Sequence, residues 1–230
     1  MHQTESRVNG LLPALAPRLL WQVEEEGWLL LGFECVSGRH ADLSPGSPDF
    51  PAITASVSSL ARELANTPAD VPALATKVRR MAAWDRLRAD PPRELDGWAR
   101  KNLDLGVAIE RSAVELIGGD HLLHTDLHSL NILVGERAWI VDWAWAQTGA
   151  AWIDAAFLLI RVIEAGHSPT AAERWAATTD AWAVADADAV TAFAVVVAGM
   201  WEYLRLVHPL PSRPAAAAAA RDWARHRLGG

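Results

Sequence analysis

The stretch HLLHTDLHSLNILVGERAWIVDW, residues 121–143, carries an aspartate in a polar loop, an asparagine five residues later and a second aspartate at the end of an apolar run. NILVG and AWIVDW are short β-prone runs, and the turn GER between them makes a tight hairpin. Such a hairpin brings Asn131 and Asp142 together and leaves Asp126 in the loop that precedes it. On both sides of the stretch apolar residues recur at helical spacing, so the hairpin is expected inside a mostly helical body.

Helical periodicity covers residues 51–64, 72–87 and 95–116 before the stretch and 155–165, 170–183 and 188–207 after it. The closing RPAAAAAARDWARHRL favours helix and carries little other information. At the front, Val8, Leu11, Leu12 and Leu15 fall on one helical face over residues 5–15, a pattern weakened by Gly10 and Pro13. Two apolar runs, 19–23 and 28–36, then flank an acidic turn ending in Gly27, as in an antiparallel hairpin. The segment SGRHADLSPGSPDFP reads as an irregular connection. These signals predict an α+β chain: a small N-lobe of helix and β-hairpin over residues 1–36, a linker over 37–50, and a helical C-lobe over 51–230 holding the catalytic hairpin.

With 230 residues, 51% of them hydrophobic and 21% charged, the chain falls among globular proteins large enough to bury a core. No run reaches the roughly 18 uninterrupted apolar residues of a membrane helix, and no basic segment leads into an apolar leader, so the expectation is a cytoplasmic protein without a membrane partner. The single cysteine, Cys35, excludes an intrachain disulfide and a cysteine metal site and is expected in the core. A net charge of -7 with dispersed basic residues argues against nucleic acid and favours a cationic or neutral ligand. The tryptophans at 139, 143, 145 and 152 are expected in the core.

Phosphoryl transfer needs an aspartate beside the acceptor hydroxyl, plus a carboxylate and an amide oxygen as hard ligands for Mg²⁺. Other readings of these residue types are open. Any one of them serves as a turn or cap in most proteins, and the spacing of His124, Asp126 and His128 also resembles a zinc hydrolase set.

The whole pattern, HTDLHSLNILV followed by IVDW, resembles the catalytic and metal-binding loops of the aminoglycoside phosphotransferase family, which has the protein-kinase-like fold. That resemblance implies transfer of a phosphoryl group from ATP or GTP to a hydroxyl of a small molecule such as an aminoglycoside, amino alcohol or sugar. It implies Asp126 as catalytic base and Asn131 and Asp142 as Mg²⁺ ligands, with His124, His128 and Asp154 as supports of the loop. LLLGFECVSGR is similar to the family's hinge, which implies Phe33, Glu34 and Cys35 at the purine edge, with Leu133 and Val141 as further nucleotide contacts. Thr125 departs from the family's usual glycine and narrows the allowed backbone angles there.

The front of the chain also departs from the family. Kinase-like enzymes place a Gly-rich strand pair and a lysine-bearing strand ahead of the first helix, whereas Glu5 already resembles the glutamate of that helix, and the two lysines, Lys77 and Lys101, come late. The expectation is an N-lobe lacking its first strands, with weakened nucleotide binding, and a kinase-like binding module stands as the non-enzymatic alternative. Loss of those strands leaves a sheet edge able to pair in a homodimer.

Overall fold

The computed structural model describes residues 2–67 and 69–229. It opens with α1 (His2–Val8), followed by a 3-10 turn over Asn9–Leu11 and extended backbone at Leu12. The front helix is thus shorter than the apolar pattern over 5–15 and begins earlier, because Gly10 is entropically costly in a helix and Pro13 cannot donate to its ladder. β1 (Leu19–Glu25) and β2 (Trp28–Phe33) pair antiparallel around Glu26 and Gly27, both at positive φ. The Trp21 indole lies over Gly32, where a Cβ would meet it at 2.0 Å.

The connection over 37–50 contains β3 (Arg39–His40) and is tied by a bidentate pair from Arg39 to buried Asp49 at 2.6 and 2.7 Å. Next come α2 (Phe50–Glu63), α3 (Leu74–Met81), α4 (Ala83–Ala89), α5 (Gly97–Lys101) and α6 (Leu103–Leu116). The pattern over 72–87 is split at Ala82, which takes a left-handed φ of 42°, and that over 95–116 is split at Asn102.

β4 (His121–Leu123), β5 (Ile132–Val134), β6 (Ala138–Ile140) and β7 (Gln147–Gly149) form the central strands. β5 sits between β3 and β6 in one sheet, and β4 pairs with β7 in another. The helices α7 (Ile153–Glu164), α8 (Pro169–Ala176), α9 (Asp180–Ala183), α10 (Ala187–Val207) and α11 (Arg213–Arg227) complete an α+β architecture.

Two apolar cores flank the central strands. One joins α1, α2, the β5–β6 hairpin and Trp143, and the other joins α3 to α6 with α8, α10 and α11. α7 serves both: Ala155 and Leu158 face the first, while Ile153, Phe157 and Ile160 face the second. α10 has the length of a membrane span, 21 residues with a window of mean hydropathy 1.5, but Asp188, Glu202 and Arg205 interrupt its apolar run. Its apolar character is explained by packing, because it lies against α6 and α11 with Phe193 and Ala194 fully buried.

Candidate active site

The loop after β4 is built on a buried carboxylate. Asp154, in the first turn of α7, accepts the His124 amide on Oδ2 and the Thr125 amide on Oδ1, both at 2.9 Å. Burial pushes its carboxyl up to about 6, against the pull of those two N–H groups. His124 is fully buried and has both ring nitrogens in use: Nδ1 accepts the Asp126 amide at 3.2 Å, so Nε2 carries the proton donated to the Val141 carbonyl at 2.9 Å. Burial holds its pKa down at about 4. A neutral ring with both nitrogens engaged ties the loop to the hairpin and, in this arrangement, offers neither nitrogen to a metal ion. Trp143 packs edge-on against it at 4.9 Å between ring centroids.

Thr125 adopts φ 62°, a left-handed conformation strained for a β-branched residue. Two hydrogen bonds hold it there, the amide to Asp154 and the hydroxyl to the Trp145 carbonyl at 2.6 Å.

Asp126 follows on this rigid support, half-buried, and burial raises its pKa while His128, Arg161 and Lys77 lower it and Asp142 raises it further. His128 Nδ1 accepts the Leu130 amide at 3.2 Å and its Nε2 lies 3.8 Å from Asp126 Oδ2. Asn131 donates its side-chain amide to the Asp126 carbonyl at 3.0 Å, and the Val141 amide donates to the Asn131 carbonyl at 3.0 Å. The hairpin therefore sets Asn131 opposite the residue that precedes Asp142. Asp142 is exposed and left-handed at φ 63°, and Glu5 of α1 accepts the next amide, Trp143 N–H, at 3.1 Å. The Asn131 side chain spends its nitrogen on the loop, which leaves its oxygen for other partners; an amide oxygen and a carboxylate such as that of Asp142 are hard ligands of the kind that suit Mg²⁺. Among the described residues no group of three His, Cys, Asp or Glu forms a protein-only metal cage.

Asp126, Thr125 and His128 line a cavity of about 620 Å³ closed by α3, α7 and α10. Trp145 is part of its wall and 41% exposed, so of the tryptophans expected in the core only Trp143 and Trp152 are buried. Phe33 ends β2, and Glu34 and Cys35 follow it, both exposed. Cys35 thus lies outside the core, because neither strand of the hairpin it leaves contributes a residue to either core. The Glu34 amide donates to the Arg18 carbonyl at 2.8 Å. Three residues past Cys35, Gly38 approaches the Leu133 backbone so closely that a Cβ would sit 3.1 Å from it, and Val141 follows β6. Among the described residues the 620 Å³ cavity is lined by none of Phe33, Glu34, Cys35, Leu133 or Val141.

The model of the phosphotransferase enzyme family matches residues 2–188. The chain belongs to that family. No curated protein matches the sequence. Solved structures share the family's kinase-like fold over nearly the whole chain. An aminoglycoside phosphotransferase from Alicyclobacillus acidocaldarius is 18% identical with a TM-score of 0.59, covering 99% of this chain and 79% of its own. A choline/ethanolamine kinase family protein from Mesorhizobium loti is 16% identical with a TM-score of 0.64, covering 98% and 78%. The GDP and kanamycin complex of APH(2")-IIia is 17% identical with a TM-score of 0.61, covering 99% and 80%. Family and fold together support a small-molecule phosphotransferase of kinase type.

Seen as a member of this family, the chain carries pocket residues that sequence reading missed. Lys77 of α3, with Nζ 5.0 Å from the Trp145 ring centroid, and Arg161 of α7, stacked over Trp201 at 4.7 Å, both line the cavity beside Asp126. The available signal was weak: each is a basic residue on an otherwise apolar helical face.

Proposed function

We propose that this chain moves the terminal phosphoryl group of ATP or GTP to a hydroxyl of a small molecule in the cytoplasm. The observation that carries the reading is the support of Asp126: a half-buried carboxylate on a loop locked by Asp154 and His124, opening into a cavity of small-molecule size. Asp126 accepts the proton of the acceptor hydroxyl, whose oxygen takes the phosphoryl group while the nucleoside diphosphate leaves. Asn131 Oδ1 and the Asp142 carboxylate hold Mg²⁺, which neutralises phosphate charge. Phe33, Glu34 and Cys35 hold the purine edge, with Leu133 and Val141 against the base. The GDP in APH(2")-IIia supports a nucleotide in this fold. The same reading includes homodimerisation through the open edges of the β1–β2 sheet.

Calorimetry with ATP or GTP in the presence and absence of Mg²⁺ tests the nucleotide site. Metal-dependent binding is expected for the native chain and is lost in Asp142→Ala, whereas Asp126→Asn still binds and loses about 10²- to 10⁴-fold in turnover. Absence of binding at millimolar nucleotide would sink the kinase reading; binding without turnover of any acceptor would favour the kinase-like binding module.

A further inference from the structure

The cavity beside Asp126 has a charge pattern opposite to the one a polyamine requires. Its acidic residues are Asp126 and Glu110. Glu110 is 5% exposed, and its carboxylate already accepts the Ala83 and Trp84 amides at 3.0 and 3.3 Å. That leaves Asp126, which the reading above gives to the acceptor hydroxyl. Three basic residues face these two. Arg161 is matched by Glu164 at 2.8 Å, and Arg213 reaches the Leu204 carbonyl at 3.4 Å.

Lys77, the third, rests its ammonium on an aromatic face. It is half-buried and lies over the Trp145 ring, and it forms no direct ion pair among the described residues, Asp126 acting on it only through its field. A contact with an aromatic face returns only part of the hydration an ammonium gives up on burial, so an anion in the cavity would be strongly favoured beside it. The remaining wall is apolar, with Leu74, Val78, Met81, Phe157, Val196 and Met200.

We propose that the acceptor of this site is an apolar hydroxy acid, its carboxylate held by Lys77, its body against the α3 and α10 side chains and its hydroxyl at Asp126. The proposal rests on the phosphoryl-transfer reading for the fate of the hydroxyl. The O–H proton passes to Asp126, the acceptor oxygen bonds to the terminal phosphorus, and the phosphorus–oxygen bond to the nucleoside diphosphate breaks, which leaves with the electron pair. The net charge of -7 does not decide the acceptor, because total charge describes the surface as a whole, while Lys77, Arg161 and Arg213 line the cavity itself.

The test uses the full chain with cholate and 12-hydroxydodecanoate, each against its methyl ester, and with kanamycin and choline. Binding is read by calorimetry without nucleotide, and transfer by phosphate incorporation with Mg²⁺ and ATP or GTP. At least one acid should bind about tenfold more tightly than its ester, the increment of one charged contact. Lys77→Met should abolish that preference while ester affinity stays within about twofold, and Lys77→Arg should keep it. Acids that bind no better than their esters, or a preference that survives Lys77→Met, overturn the proposal. Lys77-dependent binding of an acid without phosphate transfer supports the acceptor class and removes the kinase reading. Transfer to kanamycin or choline with no binding of either acid supports the kinase reading and overturns the acceptor class.

Discussion

Asp154 and His124 are buried side by side in the support of the loop after β4, and burial shifts them in opposite senses, Asp154 up to about 6 and His124 down to about 4. A base held below its ordinary 6.5 binds its proton more readily in the unfolded chain, so the stability that neutral His124 gives is complete above about 6.5 and is lost as pH falls toward about 4. A carboxyl raised above its ordinary 3.8 behaves in reverse: protonated Asp154 favours the folded chain at low pH, and that advantage is lost as pH rises through about 6. Between about pH 4 and 6 the two oppose, so the native protein should show little net slope from this pair. His124→Gln removes one side of the balance, and its stability should fall as pH rises across that window by up to about 1.4 kcal/mol per pH unit. Urea midpoints at pH 4, 5 and 6 give the answer, and a flat profile in the variant would refute the pairing. At pH 7, Asp154→Asn keeps one acceptor oxygen for two buried amides and should cost about 1–3 kcal/mol. The order of Asp126, Asn131 and Asp142 is readable in the sequence because a loop and a short hairpin confine it to 17 residues, from 126 to 142. Lys77 was not readable as a pocket residue, since nothing in its own helix signals that α3 crosses Trp145, 68 positions later.

At the scale of elements, Trp84 joins three helices. It is fully buried at the start of α4, donates Nε1–H to the Val195 carbonyl of α10 at 2.8 Å, and lies against Gly106 of α6 and Gly199 of α10. A Cβ at either glycine would fall 2.3 Å from the indole, so these helices approach only because both positions lack one. Gly106→Ala and Gly199→Ala should each destabilise by about 1–3 kcal/mol through overpacking, while Gly97→Ala, with open space at its Cβ, should stay within about 0.5 kcal/mol. Thermal denaturation of the three variants checks the contrast, and equal melting temperatures would refute it. Long helices such as α2, α7 and α10 are legible because their apolar repeat runs for three turns or more. The strands β3, β4 and β7 are not, because two or three residues are too few for alternation to register and their pairing is set by distant partners. The break at Ala82 is likewise invisible, since alanine favours helix and only the docking of Glu110 on the α4 amides marks the new start.

At the scale of the molecule, stability is unevenly distributed. α7 lies in both cores and carries Asp154 as well as Arg161, so the loop after β4 shares the fate of a deeply buried helix. None of residues 19–33 belongs to either core, and the β1–β2 hairpin leaves Trp28 73% and Leu20 66% exposed. A two-stranded sheet that contributes no residue to either core, backed by the short α1, is marginal in water, so this hairpin should open well below the free energy of global unfolding. Hydrogen exchange followed by mass spectrometry should find peptides within 19–33 exchanging at least about tenfold faster than those of α7 and α10 in dilute protein. Exposed apolar strands with unpaired edges are also the surface on which two copies would pair. Protection within 19–33 should therefore rise with protein concentration, while that of α7 and α10 stays constant, and Trp28→Lys should remove the rise. Protection of the hairpin equal to that of α7 at low micromolar protein would refute the local opening, and a rate independent of concentration would refute pairing through this edge.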